Sequence, residues 1–253
     1  MKRILFAGAL ALIATAPALA ADLPEAPLPP QAPAAYVPPV APVYNWGGLY
    51  VGLNGGYAFG NSDWNAVTGF ADTGSFSIDG ALAGGTIGAN FQSGEIVFGV
   101  EADGDWTDLK GSATGVASAS CVASCTYQTS NDWLSTFRGR LGYAFDRVLV
   151  YGTAGGAVGD VKSDFTDTAG FTASSSSTEF GWTAGAGVEV GLTENITAKV
   201  EYLYVDLANG TFACPAGTCG GSPGGVASPA LSIPVQFDAS LVRAGLNFKF
   251  NPF

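Results

Sequence analysis

Eight stretches of this chain alternate apolar and polar residues with a period of two, and the connections between them alternate strictly between short and long. The stretches are 46–59, 80–91, 95–107, 133–145, 147–161, 179–190, 195–207 and 237–250. Period-two alternation is the signature of a strand with unlike faces. The fifth stretch is more uniformly apolar, and its alternation does not reveal which face points where. Residues 92–94, Asp146 and residues 191–194 form the short connections, whereas 60–79, 108–132, 162–178 and 208–236 are long and rich in Gly, Ser, Thr and Asp. A water-soluble barrel or sandwich has no reason to sort its loops by length. A barrel in the outer membrane does, with tight turns on the periplasmic side and large loops outside. The expected fold is all-β: an eight-stranded antiparallel transmembrane β-barrel with short periplasmic turns and four long external loops.

Composition agrees. Charged residues make up 12% of the chain, about half the share typical of soluble domains, and 36 glycines stand among the residues that replace them. Histidine is absent and the only methionine is Met1. Ser-His-Asp catalysis, His-ligated zinc and His- or Met-ligated haem are therefore closed to this chain. Asp103-Gly104-Asp105-Trp106-Thr107-Asp108 has the carboxylates of a calcium loop but lacks its bidentate Glu. The glycines of 152–159 and 181–191 lack the Gly-Lys-Ser/Thr of a phosphate loop. No enzymatic activity, catalytic residue, cofactor or metal site is expected.

Residues 1–20 read as a cleaved signal peptide. Lys2 and Arg3 precede a short apolar run, Ile4 to Ile13, and Ala18-Leu19-Ala20 supplies the small residues of a cleavage site. The run is far short of the ~20 residues a membrane helix needs. Cleavage leaves 8 of the 10 basic residues against 21 acidic ones and moves the formal charge from −11 to −13, which argues against nucleic acid as a partner. Residues 21–45 hold eight prolines between Pro24 and Pro42 and read as an extended periplasmic tail without core contacts. Residues 46–253 are the barrel. Cys121 and Cys125, and likewise Cys214 and Cys219, form close pairs in loop-like sequence; in an exported protein these read as local disulfides, Cys121–Cys125 and Cys214–Cys219, in preference to a zinc site.

The polar faces of the strands carry few charges of nearly balanced sign: Glu101 and Asp103, Arg138 and Arg140, Lys199 and Glu201, and Arg243. Inside an eight-stranded barrel, whose interior is just wide enough for side chains, these seven can pair and fill the lumen. Trp, Tyr and Phe near the strand ends on the opposite face suit the aromatic girdles of a membrane barrel.

Several motifs carry a family resemblance. Ala21-Asp22-Leu23-Pro24 follows the signal, Trp46-Gly47-Gly48-Leu49-Tyr50-Val51-Gly52 opens the barrel, and Val242-Arg243-Ala244-Gly245-Leu246-Asn247-Phe248-Lys249-Phe250 closes it. Gly84-Gly85-Thr86-Ile87-Gly88 and Asn90-Phe91-Gln92 lie between. Over nearly the whole mature length the chain resembles the small porin-like outer-membrane proteins of alphaproteobacteria. The resemblance implies an eight-stranded barrel that is an abundant component of the Gram-negative cell envelope, with some relatives binding haem or host surfaces. It also implies a terminal aromatic read by the barrel-assembly machinery, for which Phe248, Phe250 and Phe253 are the candidates.

Three roles follow. The first is a structural, porin-like barrel that serves envelope integrity and surface interactions, its lumen plugged by the charged cluster. The second is a small diffusion pore, and the third a surface adhesin or haem binder acting through external loops. The expected partners are outer-membrane lipid, lipopolysaccharide and the barrel-assembly machinery, with peptidoglycan or another periplasmic partner for the proline-rich tail.

Overall fold

The computed structural model describes residues 44–64, 74–118, 121–167, 172–214 and 231–250. The expected signal peptide and nearly all of the expected tail lie outside them. Eight antiparallel strands pair in chain order and close into a barrel: β1 (Gly48–Trp64), β2 (Ser75–Ser93), β3 (Ile96–Ser118), β4 (Cys121–Phe145), β5 (Val148–Asp167), β6 (Thr172–Gly191), β7 (Ile196–Cys214) and β8 (Leu231–Lys249). The ring is shut by β1 against β8, from Tyr50↔Lys249 to Trp64↔Val235. At the short-turn end the chain reverses within a few residues, and the left-handed backbone of Gly94 and Asp146 (φ 62° and 53°) makes two of those reversals.

The lower part of the barrel is apolar outside. Leu53, Ile87, Phe137, Leu141, Val200 and Leu246 all point outward and are exposed. Phe91, Phe98, Tyr143, Phe145, Phe248 and Phe250 ring the short-turn end, and Tyr57, Phe59, Trp106, Trp133, Phe180 and Trp182 form a second ring above. From Ile96 to Trp106 on β3 is about 34 Å of strand, or about 26 Å along the barrel axis at a tilt of ~40°. That matches the apolar band of ~25 Å on outer-membrane barrels.

Above the upper ring the polarity inverts. Trp64, Phe76, Ile78, Leu109, Tyr127, Phe165, Ile233, Val235 and Phe237 belong to one buried apolar cluster inside the barrel. Ser75, Ser77, Lys110, Gln128 and Gln236 face out. Each strand keeps its inner face, β4 across a bulge at 130–134 that shifts its inward positions from even to odd; what changes is the hydrophobicity. On β8 the outward residues are Phe248, Leu246, Ala244 and Val242, and then Ser240, Asp238 and Gln236, while the inward ones pass from Asn247 and Arg243 to Leu241, Ala239, Phe237 and Val235. The same switch falls at Leu203 on β7 and Leu82 on β2. This upper part, the crown, has the interior of a soluble barrel.

The crown corrects the expected loops. Ladders run well into the segments 60–79, 108–132, 162–178 and 208–236, and β3 and β4 stay paired to Ser118↔Cys121. Ser- and Thr-rich sequence masks the alternation there, but the backbone pairing continues because inward apolar side chains reward it. Cys121 and Cys125 consequently lie on β4, and Cys214 ends β7. Cys125 is buried and disulfide-bonded, but not in the expected pair: Cys121 stands four residues away on the same extended strand, about 13 Å by strand rise against the ~7 Å between Cα atoms that a disulfide spans. The side chains of Cys121 and Cys214, and all of Cys219, fall outside the described residues.

The inversion is testable at adjacent positions of β8. Val235→Asp buries a charge in the crown and should sharply reduce the folded fraction, read as heat-modifiable migration in a gel. Gln236→Asp, one residue on and facing water, should leave that fraction near wild type. Equal losses would contradict the inverted crown.

Candidate functional site

The seven charged residues expected in the lumen all point inward and are almost completely buried, Arg138 with no exposure at all. Strand parity places them there. β3 brings Glu101 and Asp103, β4 brings Arg138 and Arg140, β7 brings Lys199 and Glu201, and β8 brings Arg243. The ring closes these strands to within one side-chain length of each other across the interior.

Two guanidinium groups organise the centre. Arg138 donates to Glu101 at 2.5 Å, Asp103 at 2.6 Å, Glu201 at 3.0 Å and the Thr136 hydroxyl at 2.9 Å. Arg243 donates to both oxygens of Asp103 at 3.1 and 3.0 Å, to Asp105 at 2.8 Å and to Glu201 at 2.9 Å. Lys199 donates to Glu101 at 2.9 Å. Planar guanidinium forks suit this task, since each presents five N–H groups to several carboxylates at once.

Arg140 stands apart from that centre and faces the short-turn end. It donates to Glu189 on β6 at 2.7 Å and to the Tyr50 hydroxyl at 3.1 Å, and its guanidinium lies 4.0 Å from the Tyr151 ring centroid. Tyr50 in turn donates to Glu101 at 2.8 Å, which links the two groups. Glu189 also accepts from Thr197 and from Asn247. Asp105, Glu189, Tyr50 and Tyr151 thus extend the expected seven. Inward parity was the available signal for Asp105, Glu189 and Tyr50, whereas Tyr151 lies in the fifth stretch, whose alternation shows no face; the partners of all four come mostly from strands distant in sequence. Glycine makes room at this level. A Cβ on Gly88 would collide with the Tyr50 ring, and one on Gly187 with the Tyr151 ring.

Apolar layers lie above and below the charges. The crown cluster closes the upper side. Below, Tyr44, Trp46, Val97, Ala144, Leu149 and Tyr151 form a second buried cluster at the short-turn mouth. The Trp46 indole N–H donates to the Asp146 carbonyl at 2.9 Å, and its backbone N–H donates to Gln92 at 2.6 Å. Lys249 donates to the Asn45 carbonyl and sits 4.1 Å from the Tyr44 ring centroid. Tyr44 and Asn45 therefore belong to the barrel mouth, which corrects the expected tail at its last residues. Leu149 and Tyr151 also explain the uniformly apolar fifth stretch: it lines this mouth inward while Val148 and Val150 face lipid. Of the aromatic residues considered for assembly, Phe248 and Phe250 pack edge to face at 5.5 Å in the lower ring, and Phe253 lies outside the described residues.

Comparison with known proteins agrees with this architecture. Residues 6–250 match the family described as "Outer membrane protein beta-barrel domain". The 31 kDa outer-membrane immunogenic protein of Brucella melitensis is 36% identical over 267 residues, covering 99% of this chain and 100% of its own. A 22 kDa outer membrane protein of Rhizobium leguminosarum is 32% identical over 212 residues, 83% of this chain and 81% of its own. Among solved structures, the outer membrane protein OprG of Pseudomonas aeruginosa is similar in fold, with a TM-score of 0.51 at 14% identity over 81% of this chain and 97% of that one. An eight-stranded ring with an apolar outer band, joined to full-length relatives of this kind, makes the chain an outer-membrane protein and a member of the outer-membrane β-barrel domain family.

Proposed function

We propose that the protein is a non-conducting, non-enzymatic structural barrel that contributes to envelope integrity and presents its crown to the outside. The observation that carries this reading is Arg138: a guanidinium at mid-lumen with no solvent exposure, held by three carboxylates from two strands. A water-filled pore would wet such a group. Four cations (Arg138, Arg140, Lys199, Arg243) face five acids (Glu101, Asp103, Asp105, Glu189, Glu201), so the cluster is close to neutral and compact rather than a one-signed filter. The apolar layers at Trp46 and Trp64 close the path on either side, independently of the charges.

The same reading gives the rest of the surface its partners. The two aromatic rings sit at the lipid interfaces, and lipopolysaccharide surrounds the foot of the crown. Phe248 and Phe250 present the terminal aromatics to the assembly machinery. Tyr44 stands at the mouth facing the periplasm, and the proline-rich sequence before it is the candidate for contact with peptidoglycan or another periplasmic partner. The disulfide at the buried Cys125 stiffens the crown.

Planar-bilayer recording tests the plug directly. The refolded protein should give no stable conductance at either polarity, and steady nanosiemens steps would establish the pore instead. A second expectation concerns stability. Arg138→Ala leaves Glu101, Asp103 and Glu201 short of a partner, and loss of one member of a buried ion pair costs about 3–5 kcal/mol. Urea unfolding in lipid vesicles should show a loss of that size. A midpoint near wild type would mean that water already reaches the cluster.

A further inference from the structure

The wall of the crown is not continuous. β6 pairs with β5 along its full length, up to Thr166↔Thr172, but its pairing with β7 stops at Gly181↔Leu207. Beyond that point β7 shifts register and continues with β8 alone, to Cys214↔Leu231. Thr172–Phe180 is therefore a nine-residue strand edge that, among the described residues, has a ladder on one side only. Protein surfaces usually blunt such edges with Lys, Pro or a covering segment. This one reads Thr-Ala-Ser-Ser-Ser-Ser-Thr-Glu-Phe and carries neither Lys nor Pro.

We propose that this edge takes up an extended cationic peptide from another protein as an added strand, through backbone pairing with Thr172–Phe180. The proposal is independent of lumen conductance. Backbone pairing supplies the affinity in such additions, and side chains supply the selection. Here the selection is acidic. Glu179 lies on the edge itself, Asp164 neighbours it on β5, and Asp206 and Asp238 line a small polar recess with Tyr204 and Gln236 at the foot of the gap. The nearby Lys162 is already paired with Asp132. A second copy of this chain is a poor occupant. Copies in one membrane share orientation, so a two-fold axis along the membrane normal sets the two β6 edges parallel and in register, with N–H opposite N–H.

The test uses the refolded mature protein in lipid nanodiscs and synthetic peptides about as long as the edge. One alternates Lys and Thr, one alternates Glu and Thr, and one alternates Lys and Pro, which keeps the charge but cannot form a full ladder. The Lys–Thr peptide should raise fluorescence anisotropy and slow amide exchange in residues 172–180 about tenfold. The Glu–Thr and Lys–Pro peptides should do neither. Glu179→Gln combined with Asp206→Asn should weaken Lys–Thr binding about tenfold while the barrel stays heat-modifiable. Of Ser175→Pro and Ser176→Pro, the one that removes an edge-facing N–H should abolish binding. Equal binding of the Lys–Pro peptide, protection away from β6, or affinity unmoved by the acidic pair would overturn the proposal.

Discussion

A chain that crosses hydrocarbon must satisfy each backbone N–H and C=O within the protein, because lipid offers them no partner. In this protein the pairing of β1 with β8 meets that demand, and the other features follow from the ring it closes. Eight strands leave an interior as wide as a few side chains. Whatever points inward must therefore pack as in a protein core, and whatever is charged there must be paired at short range. Glycine on the inner face is the other half of that constraint. Gly88 and Gly187 exist where Tyr50 and Tyr151 need the width of the lumen, so the aromatic rings and the glycines specify each other across neighbouring strands.

The ring also explains why one sequence period serves two environments. Which face of a strand points inward is a property of the backbone and persists from the short turns to the tips, on β4 across a bulge that shifts the count by one. The solvent outside it changes at the upper aromatic ring, from lipid to water. Outward side chains turn from apolar to polar at that height, and the interior turns from charged to apolar in compensation. A charged interior throughout would leave the crown without a core; an apolar one throughout would leave the membrane section nothing to hold its strands in register but ladder hydrogen bonds. Trp64 joins the halves of the crown, since its indole N–H donates to Thr129 at 3.1 Å across the interior and its ring meets Tyr127 at 5.4 Å.

The membrane section was legible in the sequence because its alternation has high contrast. Leu246 against Arg243, or Phe137 against Arg138, leaves one choice of face. All seven charged lumen positions could be assigned from parity alone. The pairings could not, since Arg138 meets Glu201 from a strand 63 residues away and only closure of the ring brings them together. The crown was hidden for a different reason. At Leu241-Val242 two apolar residues adjoin, and beyond them the apolar parity is reversed, with Ser240, Asp238, Gln236, Pro234 and Ser232 alternating against it. A reader following the outward-apolar rule sees the signal fail there and assigns a loop, although the reversal is itself what a strand leaving the bilayer requires. Tyr44 was missed because prolines up to Pro42 mark an extended tail, and a single inward-packed residue at its end has no period to detect.

The distribution of charge completes the account. The whole chain has a formal charge of −11, yet the charged cluster in the lumen is nearly balanced at four cations and five acids, with Lys249 as a further buried cation at the mouth. The acidic excess must then lie mostly outside the membrane section. Asp63, Asp108, Asp132, Asp164, Asp206 and Asp238 face outward on the crown, against Lys110 and Lys162, and those two lysines are held by Asp108 and Asp132. Each lysine is thus neutralised locally, which leaves the remaining carboxylates as the net field of the outer surface. At physiological salt that field reaches about 8 Å, so it acts on what approaches the strand edges of the crown and little on the buried charges below. The acidity evident in the composition is a surface property, and the neutrality of the lumen is what lets so narrow a barrel close around it.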